Sequence, residues 1–293
     1  MRVFTQAAAL HDYLAIAKQQ NKEIGFIPTM GALHNGHIEL LNQSVSQGLL
    51  TVCSIFVNPT QFNNTEDFNK YPKSLASDTA LLGQTGIAVL FAPTVEEIYP
   101  GGTTTQEVFD LGYLETILEG SSRPGHFQGV CQVMKRLLTI VSPDYLFMGQ
   151  KDYQQCMVVS RLLQLMRSDI QLITAPTVRQ SDGLALSSRN QRLSAEGKQN
   201  ATAIYETLRF IAESLEPGEL NTLRSEAEAK LTEHGFAVDY IAFATTETLE
   251  LVNDWDGQTP LVCLVAAFLE NIRLIDNLEL SGVTKKKKTS VVS

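Results

Sequence analysis

Pro28-Thr29-Met30-Gly31-Ala32-Leu33-His34-Asn35-Gly36-His37 joins a strand-like apolar run at 24–27 to a helix-like segment. Imidazoles three residues apart share one side of a helical turn. A helix N-terminus also presents free N–H groups and a partial positive charge, which suit a phosphate. Gly31 and Gly36 let backbone approach a ligand that a Cβ would hold away. The stretch reads as a β-to-α junction built to hold a nucleotide phosphate. Two other readings stand beside it: polar residues of an ordinary loop, and a metal-binding pair. Against metal, no Cys or third His lies nearby, and neither His-Glu-x-x-His nor paired Cys-x-x-Cys occurs.

Working outward, short runs rich in β-branched residues recur at 23–27, 50–57, 87–91, 144–148 and 170–174, with helical patterns between most of them. The clearest helix spans 126–141, where Val130, Val133, Met134, Leu137, Leu138 and Val141 form an i, i+3, i+4, i+7 stripe. It follows Pro124-Gly125 and stops before Pro143. A second helix spans 151–167. Strands alternating with helices predict an α/β domain with a mainly parallel sheet. Ligands in such sheets bind beyond the carboxyl ends of the strands, where the strand order switches.

From about Ser181 the pattern changes. Helices are expected at 194–215 and 221–234, then strands at 237–244, 261–267 and 272–275, as in a smaller α+β unit. The expected division is 1–177, 178–284 and a tail, 285–293, whose Lys285-Lys286-Lys287-Lys288 reads as a solvated, fraying end rather than a basic tether.

Composition narrows the class. A net charge of −9 argues against a general nucleic-acid binder, so any anion site must be locally positive. No apolar run approaches the roughly 18 residues of a membrane span. The first twenty residues lack the features of a signal peptide. Cys53, Cys131, Cys156 and Cys263 are scattered in apolar settings, the pattern of reduced thiols in a cytoplasmic protein. There is no Gly-x-x-x-x-Gly-Lys-Ser/Thr loop and no Gly-x-Ser-x-Gly elbow, which disfavours P-loop enzymes and serine hydrolases.

Gly149-Gln150-Lys151-Asp152 follows a strand-like run and opens a helix. Lys151 can bring a compact positive charge to a phosphate, and Asp152 can accept from a ribose hydroxyl, although helix-start chemistry alone accounts for both. Leu186-Ser187-Ser188-Arg189-Asn190 clusters two hydroxyls and a guanidinium whose fork suits phosphate oxygens; a capped polar loop is the alternative. Gln61, in Val57-Asn58-Pro59-Thr60-Gln61-Phe62, can donate to and accept from a small polar substrate, or be a plain loop residue. Asp78 is a candidate Mg²⁺ ligand, or an ordinary helix-surface carboxylate.

Taken together, PTMGALHNGH (28–37), FVNPTQF (56–62), YPKSLASD (71–78), FAPTVEEIYP (91–100), LEGSSRPGHFQGV (118–130), FMGQKDYQQ (147–155) and DGLALSSRN (182–190) resemble the pantothenate synthetase (pantoate–β-alanine ligase) family, in order. Two departures occur: Lys73, where the family often has Arg, and Gln150, where Glu is common. The resemblance implies a Rossmann-like nucleotidyltransferase domain related to class I aminoacyl-tRNA synthetases, a smaller C-terminal lid, and a homodimer. It implies ATP contacts from Met30, Gly31, Ala32, Leu33, His34, Asn35, Gly36 and His37, from Gly149, Gln150, Lys151 and Asp152, and from Val178, Leu186, Ser187, Ser188 and Arg189. Gln61 and Gln155 are implied to hold pantoate, with Gln61 also at the β-alanine site. The implied reaction converts ATP, pantoate and β-alanine to pantothenate, AMP and pyrophosphate through a pantoyl-adenylate, with Mg²⁺ beside ATP. His34, His37, Lys151 and Arg189 are the implied catalytic groups, with His37 as proton donor. Partners are small molecules, with no nucleic acid and no membrane. Another nucleotidylyltransferase of the superfamily and a non-catalytic nucleotide-binding module are the competing readings. The second is disfavoured by retention of both histidines, Lys151 and Ser187-Ser188-Arg189.

Overall fold

The computed structural model describes residues 1–62, 68–69, 71–72, 74–103 and 107–280. Lys73 and the four-lysine tail lie outside the described residues. Strands β1 (Arg2–Phe4), β2 (Ile24–Thr29), β3 (Leu50–Ile55), β4 (Val89–Phe91), β5 (Tyr145–Gly149) and β6 (Gln171–Ala175) form one sheet in the order β1-β4-β3-β2-β5-β6. Every pairing in it is parallel. β2 and β3 are buried along nearly their whole length, and strands covered on both faces read as apolar runs rather than alternating ones. On one face Leu40 and Leu41, from the helix Asn35–Ser46, and Leu82, from the helix Leu75–Leu82, pack on Ile27, Cys53, Ile55, Leu90 and Phe147. Their neighbours on the opposite face, Phe26, Val52 and Leu146, are equally buried.

The helix His126–Val141 buries all six residues of the stripe read from the sequence. Gly125 enters it at φ +79 and Ser142 ends it at φ +48, one residue before Pro143. It packs against the helices Ala7–Gln19 and Tyr153–Leu165. Each large apolar side chain buried in such a face contributes about 1.5–3 kcal/mol, so this helix is firmly anchored in the core.

The strand order carries the functional geometry. β2, β3 and β4 step successively to one side, and then β5 is laid on the other side of β2. The β2–β5 ladder contains only Gly25↔Tyr145 and Phe26↔Leu146, and Pro28 has no N–H with which to extend it. No ladder pair therefore joins the carboxyl ends of β2 and β5, and such a switch point is where open α/β sheets bind ligands.

The chain divides into two compact units. The first holds Met1–Val178 with Leu186–Ser188, and the second holds Arg179–Ala185 and the chain from Arg189 onward. The second is built on β8 (Ala237–Thr245), β10 (Leu261–Leu269) and β11 (Ile272–Glu279), antiparallel in the order β11-β10-β8. A two-residue pair, β7 (Gly218–Glu219) with β9 (Asp254–Trp255), accompanies it. Leu208 and Ile211, from the helix Ala203–Ser214, and Ala227 and Leu231, from the helix Asn221–Glu233, fill its core with Phe243, Cys263 and Val265.

Three elements differ from expectation. β1 is three residues long, mostly exposed, at the sheet edge, too short to show a period. The helical pattern at 194–215 is split into Ala195–Asn200 and Ala203–Ser214, because the Thr202 hydroxyl donates to the Gln199 carbonyl (2.8 Å) and competes with the backbone ladder. β11 runs on to Glu279, past the expected end at 275, because its polar residues Asp276 and Asn277 are buried within the sheet. Asp276 takes both arms of the Arg179 guanidinium (2.5 and 3.0 Å), and that guanidinium stacks on the Tyr205 ring at 4.1 Å.

Candidate active site

The loop leaving β2 is held open by a buried carboxylate. Gly31 and Ala32 both take positive φ, +82 and +50, which for Ala32 is strained backbone. Asp78 maintains that shape: one oxygen accepts from Ala32 N–H (2.9 Å) and the other from Leu33 N–H (2.9 Å). Ser74 adds its hydroxyl, donating to Asp78 (2.8 Å) and accepting from Ala32 N–H (3.1 Å). A Cβ at Gly31 would lie 3.0 Å from the Asp78 carboxylate, so glycine is needed there for space as well as for φ.

Asp78 is 4% exposed and its oxygens serve two backbone amides and a hydroxyl, so in this structure it clamps the loop. Among the described residues, no three His, Cys, Asp or Glu side chains converge to hold a metal ion.

At the end of the loop, His34 is the N-cap of Asn35–Ser46. Its Nδ1 accepts from Gly36 N–H (3.1 Å), and the Nδ1 of His37 accepts from His34 N–H (3.3 Å), a reciprocal capping box. The rings lie 4.1 Å apart between centroids. An imidazole accepting at Nδ1 carries its proton at Nε2. Each ring therefore has one N–H left to give, and both come from the same helical turn. Gly36 serves the histidine directly, since a Cβ there would sit 2.9 Å from the His34 ring.

Both rings are neutral. Burial, then the Lys151 ammonium, pushes the pKa of His34 down to about 4, with Asp152 opposing. Burial, then His34, pushes that of His37 down to about 3. With its Nδ1 accepting and its pKa held low, His37 offers an Nε2–H donor at pH 7 in the ligand-free chain. The cation at this point is Lys151.

Lys151 comes from the neighbouring strand. β5 ends at Gly149, and Gln150–Asp152 make one 3₁₀ turn before Tyr153–Leu165 begins. Gln155 sits half-buried in the first turn of that helix. Val178 and Leu186 are joined by a backbone bond (Leu186 N–H to Val178 O, 3.0 Å), and the Leu186 Cβ lies 3.9 Å from where a Cβ on Gly36 would be. Ser187 and Ser188 belong to the first unit and Arg189 to the second.

Beyond β3 lies a second polar cluster. Asn58, 1% exposed, accepts from the Tyr99 hydroxyl (2.8 Å), the Thr60 hydroxyl (3.0 Å) and Thr60 N–H (3.3 Å). Its amide N–H groups go to the Gln61 side-chain oxygen (3.0 Å) and the Gly129 carbonyl (3.1 Å). This fixes which end of the Gln61 amide is the donor: Nε2 points to the thioether of Met30, at 3.2 Å. Sulfur is a weak acceptor, so that N–H is easily surrendered to a better one. Burial pushes the Tyr99 phenol pKa up, which keeps it a donor. Asn58, Tyr99 and His126 have no role assigned by the sequence reading. All three sit inside quoted segments, but Tyr99 and His126 are distant from Asn58 in sequence, with no periodic signal to link them to it.

The family profile described as pantoate-beta-alanine ligase matches residues 2–279. The chain belongs to that family. A Cytophaga hutchinsonii pantothenate synthetase is 42% identical over 277 residues, 94% of this chain and 97% of the relative. One from Pseudomonas fluorescens is 46% identical over 270 residues, 92% and 94%. Among solved structures, the Thermus thermophilus pantothenate synthetase superposes with a TM-score of 0.83 at 39% identity, covering 96% of this chain and 99% of that one. A Francisella tularensis pantoate-beta-alanine ligase, complexed with beta-gamma ATP and beta-alanine, gives 0.81 at 36%, covering 96% and 98%. Membership makes this chain an ATP-dependent ligase of pantoate and β-alanine. Among the described residues no helix is long and apolar enough to cross a membrane.

Proposed function

We propose that the chain performs the ligation in two steps through a pantoyl-adenylate. A carboxylate is a poor electrophile, and adenylation gives it a good leaving group. In the first step a pantoate carboxylate oxygen attacks the α-phosphorus of ATP and pyrophosphate departs. In the second, the neutral amine of β-alanine attacks the acyl carbon, AMP departs with the bonding pair, and the nitrogen loses a proton to solvent.

The observation that carries this reading is the pair of neutral, Nδ1-capped histidines beside Lys151 at the strand-order switch. Negative charge grows on the α-phosphate oxygens and on pyrophosphate. Two preoriented Nε2–H donors and one ammonium match that charge without rearranging. Met30–His37, Gly149–Asp152, Val178 and Leu186–Arg189 make the ATP contacts in this reading, with Arg189 adding a guanidinium for the phosphates. Gln61 and Gln155 take pantoate, and Gln61 borders the β-alanine position. In this reading Mg²⁺ enters on the ATP phosphates, the usual way that ion is bound beside a nucleotide. The same reading takes the enzyme to be a homodimer of the reducing cytoplasm, in keeping with four free, buried cysteines.

Positional isotope exchange in ATP tests the order of events. Scrambling with pantoate alone is expected. Scrambling that needs β-alanine as well removes the adenylate.

A further inference from the structure

We propose that His126 is a positioning residue for pantoate, acting through the backbone of Gln61; the proposal rests on the reading of Gln61 as a pantoate ligand. Pro59–Gln61 is a single 3₁₀ turn, and so short a turn leaves its last carbonyls without partners inside it. The Gln61 carbonyl is taken by the His126 ring, whose Nδ1 lies 2.7 Å away. A carbonyl can only accept, so Nδ1 carries the proton. The other nitrogen, Nε2, faces an Arg123 N–H at 3.1 Å and therefore accepts. A second N–H of Arg123 reaches the same carbonyl at 3.5 Å. His126 is thus locked in one tautomer, opposite to that of His34 and His37.

The ring is also locked in place. His126 is 5% exposed and is the first residue of the packed helix His126–Val141. Three residues on, that helix touches the same turn: a Cβ on Gly129 would stand 2.2 Å from the Thr60 carbonyl oxygen. The Gly129 carbonyl also receives the Asn58 amide that orients the Gln61 side chain. The two holds are complementary. Asn58 decides which way the Gln61 amide faces, and His126 decides where its backbone stands. Both refer the turn to one rigid helix, which lets a substrate-binding amide keep its position before the substrate arrives.

The ring edge that matters is the near one. An Asn side chain places an N–H at about the level of Nδ1, and Leu fills similar space with no donor. His126→Leu should raise the KM for pantoate about 5- to 10-fold, the range for losing one buried hydrogen bond, with the KM for ATP and kcat within about twofold. His126→Asn should restore the pantoate KM to within about threefold of the parent. A merely structural role predicts a lowered Tm in both variants and an unchanged pantoate KM, which overturns the proposal. If the Leu variant does not fold, the Asn variant and the tautomer decide. A pantoate KM in His126→Asn as high as in Gln61→Ala overturns the proposal, as does ¹⁵N NMR of the parent enzyme finding the His126 proton on Nε2. Gln61→Ala separates the two layers. If it leaves the pantoate KM unchanged, the pantoate site itself is misplaced. If it raises that KM while His126→Leu does not, only the role of His126 falls.

Discussion

The two polar clusters of the first unit are built in opposite ways. The His34–His37 box is made by four consecutive residues, and its bonds span two and three positions along the chain. The cluster around Gln61 is closed by bonds that span 41, 65 and 71 positions, from Tyr99, His126 and Gly129. A local device is available as soon as its helix forms, and every residue of it can be read in order. A long-range device exists only once β3 and the helix His126–Val141 have packed. The same residue type is used for contrary ends: histidine as an Nε2–H donor in the first cluster and an Nδ1–H donor in the second.

The largest effect should come from the local cluster. Lys151→Ala should slow adenylate formation by about 10²–10³, the loss typical of one preorganised transition-state group. His37→Ala should do the same, but it also removes a cap worth about 1 kcal/mol. His37→Asn separates the two roles, because Asn keeps an acceptor near Nδ1 and lacks the Nε2–H. Single-turnover adenylation should fall about 10²-fold in His37→Asn while Tm stays near the parent value. Parental rates in that variant would confine His37 to helix capping.

Next in size is the clamp between the two clusters. Asp78→Ala leaves the Leu33 N–H without its acceptor and the Ala32 N–H with the Ser74 hydroxyl alone, at about 1–3 kcal/mol. Tm should drop by several degrees and the KM for ATP should rise, while the Mg²⁺ concentration giving half-maximal rate stays put. A shift of that concentration by about tenfold, with Tm unchanged, would return Asp78 to the metal.

Smaller again is Gln61→Ala, expected to weaken pantoate binding by about 0.5–1.5 kcal/mol, more if its partner is charged. Calorimetry should find ATP affinity nearly intact. Lost ATP affinity with unchanged pantoate affinity would reverse the assignment.

The remaining effect is on stability against pH rather than on rate or affinity, and it touches both clusters. His34 and His126 are held near pKa 4 and His37 near 3, all below the ordinary 6.5, with burial the leading cause in each. The unfolded chain then binds protons first as pH falls. The stability these groups contribute is present above about 6.5 and is lost progressively towards 4 and 3. The urea midpoint should decline between pH 7 and 5, above most carboxylate titration, and decline less steeply in His34→Asn. A midpoint flat over that window would mean that the rings are not shut from water.

How much was legible follows from distance along the chain. The parallel sheet, the stripe of His126–Val141, and the place of Pro28–His37 and Gly149–Asp152 after their strands were all readable. Each depends on periodicity or on neighbours within one turn. The readable part of Asp78 was its carboxylate; its partners, 45 and 46 positions away, were not.

By itself the sequence determined the α/β class, most of the longer elements, the family and the place of the two histidines at a βα junction, because helix caps, apolar stripes and such junctions are short-range physics written in contiguous residues. Only the tertiary structure decided which nitrogen of each histidine bears the proton, that Asp78 holds the backbone of the loop after β2, and that Gln61 is aimed by Asn58 and footed on His126. Those outcomes depend on hydrogen-bond partners and on burial, and both are created when distant segments pack.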